Sequence, residues 1–161
     1  MPNADSKSDC GLLVIGYGNE LRGDDGVGPN VAAALEQMQL PGVRTLVCHQ
    51  LTPELAEPVS RASRVVFVDA AVDASAGVQM RELKPAETGR ITAHAADPRT
   101  LLALAQEVFG RCPAAWWLTI PIETTDFGGE LSPLARLGLQ LALERIQALA
   151  PHRVTRSKNA S

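Results

Sequence analysis

The chain alternates short apolar runs with longer segments of helical periodicity, and this alternation constrains its fold more than any other feature. Apolar runs of strand length occur at 12–15, 43–48, 64–69 and 114–122, with helical patterns between and after them. A strand that is joined through a helix to a neighbouring strand forms a right-handed crossover and a parallel pair. The sequence therefore predicts an α/β fold, namely a three-layer α/β/α sandwich with a mostly parallel twisted sheet.

The later helices have clear start and stop signals. Asp97 and Ser132 each precede a proline, and a capping side chain before a first-turn proline is typical of a helix start. We expect the first of these helices to end at Gly110 and the second near Ala150. Leucines at helical spacing predict the buried face of the last helix: Leu134, Leu137, Leu141 and Leu149. The alternating residues 78–83 predict one more strand, at an edge of the sheet.

Length and composition indicate one globular domain with short terminal tails. The chain has 161 residues, of which 45% are apolar and 20% are charged, as is typical of a globular protein. We place the domain at residues 11–150, between a polar tail at 1–10 and a basic tail at 151–161. The net charge of −3 lacks the basic excess on which non-specific nucleic-acid affinity depends, so we predict no nucleic-acid partner.

The same sequence predicts a cytoplasmic protein that does not enter a membrane. Its longest apolar stretch, at 114–122, is too short to span a bilayer, and residues 1–9 are polar and lack the apolar segment of a secretory signal. Three widely spaced cysteines are an odd number, which suits neither a disulfide framework nor a paired zinc motif. We expect reduced thiols and a monomer.

A glycine-rich loop at 16–28 separates the first strand from the first helix. It has no dinucleotide fingerprint, because Leu21 stands where a glycine is needed, and it lacks the lysine of a P-loop. Asp24 and Asp25 would place negative charge where a phosphate needs donors, so the loop favours a cation over a nucleotide. An alternative is purely structural: the glycines make a tight turn, and the aspartates favour the positive end of the helix.

Asp69 and His94 are the other candidates for this site. Asp69 ends an otherwise apolar strand, and the carboxyl ends of parallel strands meet at one edge of a sheet. His94 lies in the loop before the helix that begins after Asp97, from which an imidazole can reach the same edge. Each has a structural alternative, since Asp69 can cap loop amides and His94 can bond to local backbone. With one of the loop aspartates they would supply two oxygen ligands and one imidazole, an open three-ligand site suited to zinc, nickel or a similar divalent ion.

With these residues the sequence resembles the hydrogenase maturation endopeptidases. These enzymes trim a C-terminal extension from the large subunit of [NiFe] hydrogenase after nickel insertion. The strongest match is the opening pattern Gly-x-Gly-Asn-x-Leu-x-x-Asp-Asp-Gly-x-Gly at 16–28, and the likeness extends over about 11–150. The resemblance implies that Asp25, Asp69 and His94 are the metal-binding and catalytic residues. Some family members have glutamate at the position of Asp25, which changes the reach of the side chain but keeps its charge.

The resemblance also implies a partner and a metal. The partner is the large-subunit precursor of a [NiFe] hydrogenase, and the metal is nickel delivered by that substrate, which serves as a signal that assembly is complete. Other divalent ions such as zinc are expected to occupy the site in vitro. A cysteine-protease reading is disfavoured, because Cys48 and His49 are neighbours in a strand and would point to opposite faces. The alternatives are a nucleotide-binding α/β module and a non-catalytic metal-binding protein.

Overall fold

The computed structural model describes residues 11–72, 77–87, 97–123, 125–126, 128 and 130–151. Its elements follow one another in this order: β1 (Leu12–Tyr17), a 3₁₀ helix (Gly23–Gly26), α1 (Val27–Met38), β2 (Val43–Cys48), a 3₁₀ helix (Pro53–Leu55), α2 (Ala56–Arg61), β3 (Arg64–Ala71), β4 (Gln79–Leu83), α3 (Pro98–Phe109), β5 (Ala114–Pro121) and α4 (Pro133–Leu149). Among these, no helix is long and apolar enough to cross a bilayer.

The strands form one five-stranded sheet in the order β2-β1-β3-β5-β4. The pairs β1 with β2, β1 with β3, and β3 with β5 are parallel. β4 is an edge strand that pairs antiparallel with β5. The prediction of a mostly parallel sheet with an additional edge strand near 78–83 is therefore confirmed.

Each face of the sheet packs against its own pair of helices. Alternate residues of β1, β3 and β5 point to α1 and α4, and the residues between them point to α2 and α3. Adjacent Trp116 and Trp117 accordingly lie in different cores. The three-layer α/β/α sandwich predicted from the sequence is confirmed.

The predicted helix ends are also present. Asp97 Oδ1 accepts a hydrogen bond from the Arg99 N–H at 2.9 Å, and Ser132 Oγ accepts one from the Ala135 N–H at 3.2 Å. Gly110 closes α3 in the left-handed conformation with φ of 74°. These ends depend on local capping chemistry, which adjacent residues determine.

The buried face of α4 differs from the prediction. Leu137 and Leu141 are 59% and 41% exposed. The inward positions hold smaller side chains together with two larger ones: Ala135, Gly138, Ala142, Leu143 and Ile146. The reason is close packing, because a Cβ atom at Gly138 would lie 2.4 Å from Cγ2 of Ile120 on β5. A helix that approaches the sheet so closely has no room for a row of leucines.

Candidate active site

The glycine-rich loop brings the start of α1 directly onto the sheet. A Cβ atom at Gly16 would lie 2.1 Å from the Gly28 carbonyl oxygen, and one at Gly28 would lie 2.5 Å from the Val68 carbonyl oxygen. No larger residue fits at either position without movement of the backbone. These glycines therefore serve close packing of helix on strand, a structural role that differs from the tight turn of the structural alternative.

Asp24 is the structural member of the aspartate pair. It is fully buried. Its carboxylate accepts hydrogen bonds from the Glu123 N–H at 2.9 Å and from the N–H and hydroxyl of Ser132 at 2.7 and 2.6 Å. Ser132 is also the N-cap of α4. Asp24 thus ties the loop after β1 to the end of β5 and the start of α4.

Asp25 is oriented differently and is only partly buried. Its Oδ2 atom accepts a hydrogen bond from the Asn19 N–H at 2.9 Å. Gly18 has φ of 143°, and a Cβ atom there would lie 2.1 Å from the Asp25 carbonyl oxygen. The backbone therefore holds Asp25 in a fixed place, while its Oδ1 atom receives no hydrogen bond from the described residues.

Asp69 does not end its strand, contrary to the sequence prediction. β3 continues to Ala71 because Ala70 and Ala71 still pair with β5. The pairing of β3 with β1, however, stops at Val68. Asp69 is thus the first residue of β3 that does not pair with β1. It therefore lies at the carboxyl end of the parallel strands, as the sequence predicted.

The carboxyl of Asp69 lies in a setting that resists ionisation. Burial raises its pKa from 3.8 to about 6, and the negative charge of Asp25 contributes to the rise. Hydrogen bonds from the Tyr17 hydroxyl and the Ala70 backbone act in the opposite direction. The Tyr17 hydroxyl contacts Asp69, and the adjacent Gly18 lies against the Asp25 backbone, so the structure brings these two predicted site residues to the same part of the molecule. A cation beside them would relieve both the burial cost and the repulsion.

Tyr17 is a site residue that the sequence analysis missed. Its hydroxyl donates a hydrogen bond to Asp69 Oδ2 at 3.1 Å. Burial raises the pKa of this phenol, and the charges of Asp69 and Asp97 raise it further. The Trp117 indole acts in the opposite direction and lowers the Tyr17 pKa. Among the described residues, however, the buried indole N–H of Trp117 has no hydrogen-bond partner with acceptable geometry. The available signal was its position, since Tyr17 lies between Gly16 and Gly18, just after the first apolar run.

The third predicted residue, His94, lies outside the described residues, so its role stays a prediction. The described ranges contain no group of three His, Cys, Asp or Glu side chains that could hold a metal ion. α3, which follows His94 in the chain, begins at Pro98. His94 precedes Asp97 by three positions in the sequence.

Solved structures with the same fold support the resemblance that the sequence indicated. The chain matches the hydrogenase maturating endopeptidase HybD from E. coli with a TM-score of 0.68 and 25% identity, over 86% of this chain and 90% of that chain. This likeness supports the resemblance of the chain to the hydrogenase maturation endopeptidases. The chain is accordingly an enzyme of the peptidase class.

Two archaeal endopeptidases support the fold of this family. The [NiFe] hydrogenase maturation protease HybD from Thermococcus kodakarensis gives a TM-score of 0.71 at 24% identity, over 88% of this chain and 99% of that chain. The hydrogenase 2 maturation peptidase from a Thaumarchaeota archaeon gives 0.64 at 23% identity, over 86% and 97%. No family model and no curated protein sequence matches the chain.

The endopeptidase has a cleft of about 330 Å³ beside the loop that carries Asp25. It is lined by one side of that loop, the first turn of α1 and the end of β2: Gly18, Asn19, Glu20, Leu21, Pro29, Val47, Cys48 and His49. Burial raises the pKa of the Cys48 thiol, which lowers the fraction of nucleophilic thiolate. The raised pKa disfavours a cysteine nucleophile. The expected opposite orientation of Cys48 and His49 is not borne out, because β2 ends at Cys48 and both residues line this cleft.

Proposed function

We propose that this endopeptidase removes a C-terminal extension from the large-subunit precursor of a [NiFe] hydrogenase that already carries nickel. One observation carries the proposal: Asp69 accepts a hydrogen bond from Tyr17, and the adjacent Gly18 lies against the Asp25 backbone, in a chain with the fold of the hydrogenase maturation endopeptidases. We assign the third contact to His94. These three side chains would bind the nickel of the substrate, and cleavage would depend on them.

The chemistry of the carboxyl pair supports a metal that arrives with the substrate. Two carboxylates and one imidazole are fewer and harder ligands than the thiolate sets that hold structural zinc, and three ligands leave positions open for substrate groups. Such a site binds metal weakly and exchangeably, so nickel in the precursor can act as a recognition element. Zinc and other divalent ions are expected to occupy the same site in vitro.

The proposed binding of nickel by Asp69 also gives Tyr17 a role. Its hydroxyl donates to Asp69 Oδ2, which leaves Oδ1 as the oxygen of Asp69 without a side-chain donor among the described residues. A ligand that is held by a neighbouring hydrogen bond keeps its orientation when the metal arrives. Tyr17 is therefore proposed as a positioning residue for Asp69.

The test is incubation of the purified protein with a nickel-loaded [NiFe] hydrogenase large-subunit precursor, followed by intact-mass measurement. We expect loss of one short C-terminal peptide in a single cut, while casein stays intact. A nickel-free precursor is the control and should remain uncut. An unchanged mass with both preparations would contradict the proposal. Binding without a mass change would favour a non-catalytic interaction protein, and protection by ATP, GTP or NAD would favour a nucleotide-binding module.

The setting of the reaction is part of the same proposal. We place it in the cytoplasm, with a monomeric enzyme, on the sequence arguments given above. Light scattering coupled to size exclusion tests the monomer, and cell fractionation with an antibody to the native protein tests the compartment.

A further inference from the structure

The two edge strands of the sheet differ in their protection against pairing. β4 carries Arg81 and Glu82 and is followed by Lys84 and Pro85, with Lys84 Nζ 3.2 Å from Glu82 Oε1. Charged side chains and proline are the usual means by which proteins prevent an edge from accepting another strand. β2 has a single charged residue, Arg44; its nearby proline, Pro41, lies two positions before the strand, and no charged residue directly follows the strand. Of these two described edges, β2 is the one left open.

The open side of β2 presents backbone groups at known positions. The carbonyls of Gly42 and Cys48 accept hydrogen bonds from backbone N–H groups on the β1 side, at 2.9 and 3.2 Å. Backbone direction alternates along a strand, so Thr45 and Val47 turn their N–H and C=O groups away from β1. Val47 is 49% exposed, and no described residue pairs with this side of β2.

Two depressions lie along β2 on the side of α1. The first has a volume of about 310 Å³ and lies between the end of α1 and the start of β2: Leu35, Glu36, Gln39, Leu40, Val43, Arg44 and Thr45. The second is the cleft of about 330 Å³ described above, which includes Val47 and His49. An extended chain on the open edge would place alternate side chains toward α1, where the two depressions could receive them.

The second depression leads to the candidate active site. Gly18 and Asn19 line this cleft, and the Asn19 N–H is the donor that holds Asp25 Oδ2. We infer that the open edge of β2 binds an extended segment of the protein substrate as an additional strand, which leads the scissile region from the β2 edge to the Asp25 loop. This inference rests on the proposed peptidase function on a protein precursor.

The occupant is a peptide backbone rather than a particular side chain. Main-chain hydrogen bonds to Thr45 and Val47 would supply affinity that does not depend on sequence, and the depressions would supply preference at alternate positions. Such binding needs the substrate segment to be extended and unpaired. We expect the C-terminal extension of the proposed substrate to meet this requirement.

The variant Val47→Pro tests the inference. Proline removes the outward N–H and places its ring where the added strand would lie, yet its effect on the β1 side is small because Val47 does not donate to β1. Val47→Thr is the matched control, since it keeps the N–H and the branched shape. For cleavage of the nickel-loaded precursor, we expect Val47→Pro to raise KM at least about tenfold with little change in kcat. Val47→Thr should remain close to wild type.

Hydrogen exchange separates this inference from the proposed function and from misfolding. The wild-type protein is mixed with the same precursor, and exchange is followed at the Thr45 and Val47 amides, with β4 amides as the internal reference. Slower exchange at β2 alone supports the added strand, whether or not cleavage occurs. Unchanged β2 exchange overturns it, as does normal KM in a folded Val47→Pro protein. Protection that rises with protein concentration in the absence of precursor would assign the edge to a second copy of the chain, which also overturns it.

Discussion

Replacement of Asp69 by asparagine should stabilise the protein near neutral pH while abolishing its activity. Burial and the charge of Asp25 raise the pKa of Asp69 from 3.8 to about 6 in the folded protein. The folded state therefore binds the proton more tightly than the unfolded state, and ionisation works against folding. Asparagine keeps the shape and an acceptor for the Tyr17 hydroxyl, but it carries no charge.

The magnitude follows from the size of the shift. One pKa unit corresponds to about 1.4 kcal/mol, so a rise of about two units makes ionised Asp69 cost at most about 3 kcal/mol. Below the unfolded pKa, the carboxyl is protonated in both states and the cost is absent. It develops between about pH 4 and pH 6 and is complete above that range. The advantage of Asp69→Asn in unfolding free energy should follow the same course.

Urea unfolding at pH 7.5 and pH 4.5 measures this difference for wild type and Asp69→Asn. We expect a clear gain for the variant at pH 7.5 and a much smaller one at pH 4.5. Asp24→Asn is the matched control, because it places an amide NH₂ group against the Glu123 and Ser132 donors and should lose about 2–4 kcal/mol. A destabilised Asp69→Asn protein, or a gain independent of pH, would refute the reasoning.

Three further predictions concern the site. Asp25→Ala and His94→Ala should each abolish precursor processing without unfolding the protein, whereas His49→Ala should be much milder; intact mass and circular dichroism test this, and loss only at His49 would assign the wrong imidazole. Tyr17→Phe removes the donor that lowers the Asp69 pKa, so carboxyl NMR titration should place that pKa above about 6 in the variant, and a lower value would contradict the assigned hydrogen bond. Purified protein should contain little metal and bind nickel or zinc weakly, with affinity that falls below about pH 6.5 as imidazole and carboxylate ligands protonate; calorimetry at two pH values measures this, and stoichiometric metal that resists a chelator would identify an intrinsic metalloprotease centre.

The sequence determined the architecture because the signals for it are local. Alternating apolar runs and helical periods predict the parallel sheet and its two helical layers, and Asp97, Gly110 and Ser132 mark helix ends through contacts with residues close by in the chain. The glycine spacing at 16–28 likewise carries the family resemblance, since close approach of backbone to backbone permits no larger residue at Gly16 or Gly28. Each of these constraints restricts the residue type at a single position, so it can be recognised in the sequence.

Only the tertiary structure decided what the individual polar residues do. Residue type and loop position do not distinguish Asp24 from Asp25, and only the family resemblance favoured Asp25. The partners of Asp24 lie 99 and 108 positions away, and packing alone brings them to its buried carboxylate. The link from Tyr17 to Asp69 spans 52 positions in the same way. Propensity and periodicity contain no information on which distant donors will meet a carboxylate. Which donors contact a carboxylate depends on how closely the helices and strands pack. These contacts distinguish Asp24, which has a structural role, from the aspartates of the candidate site.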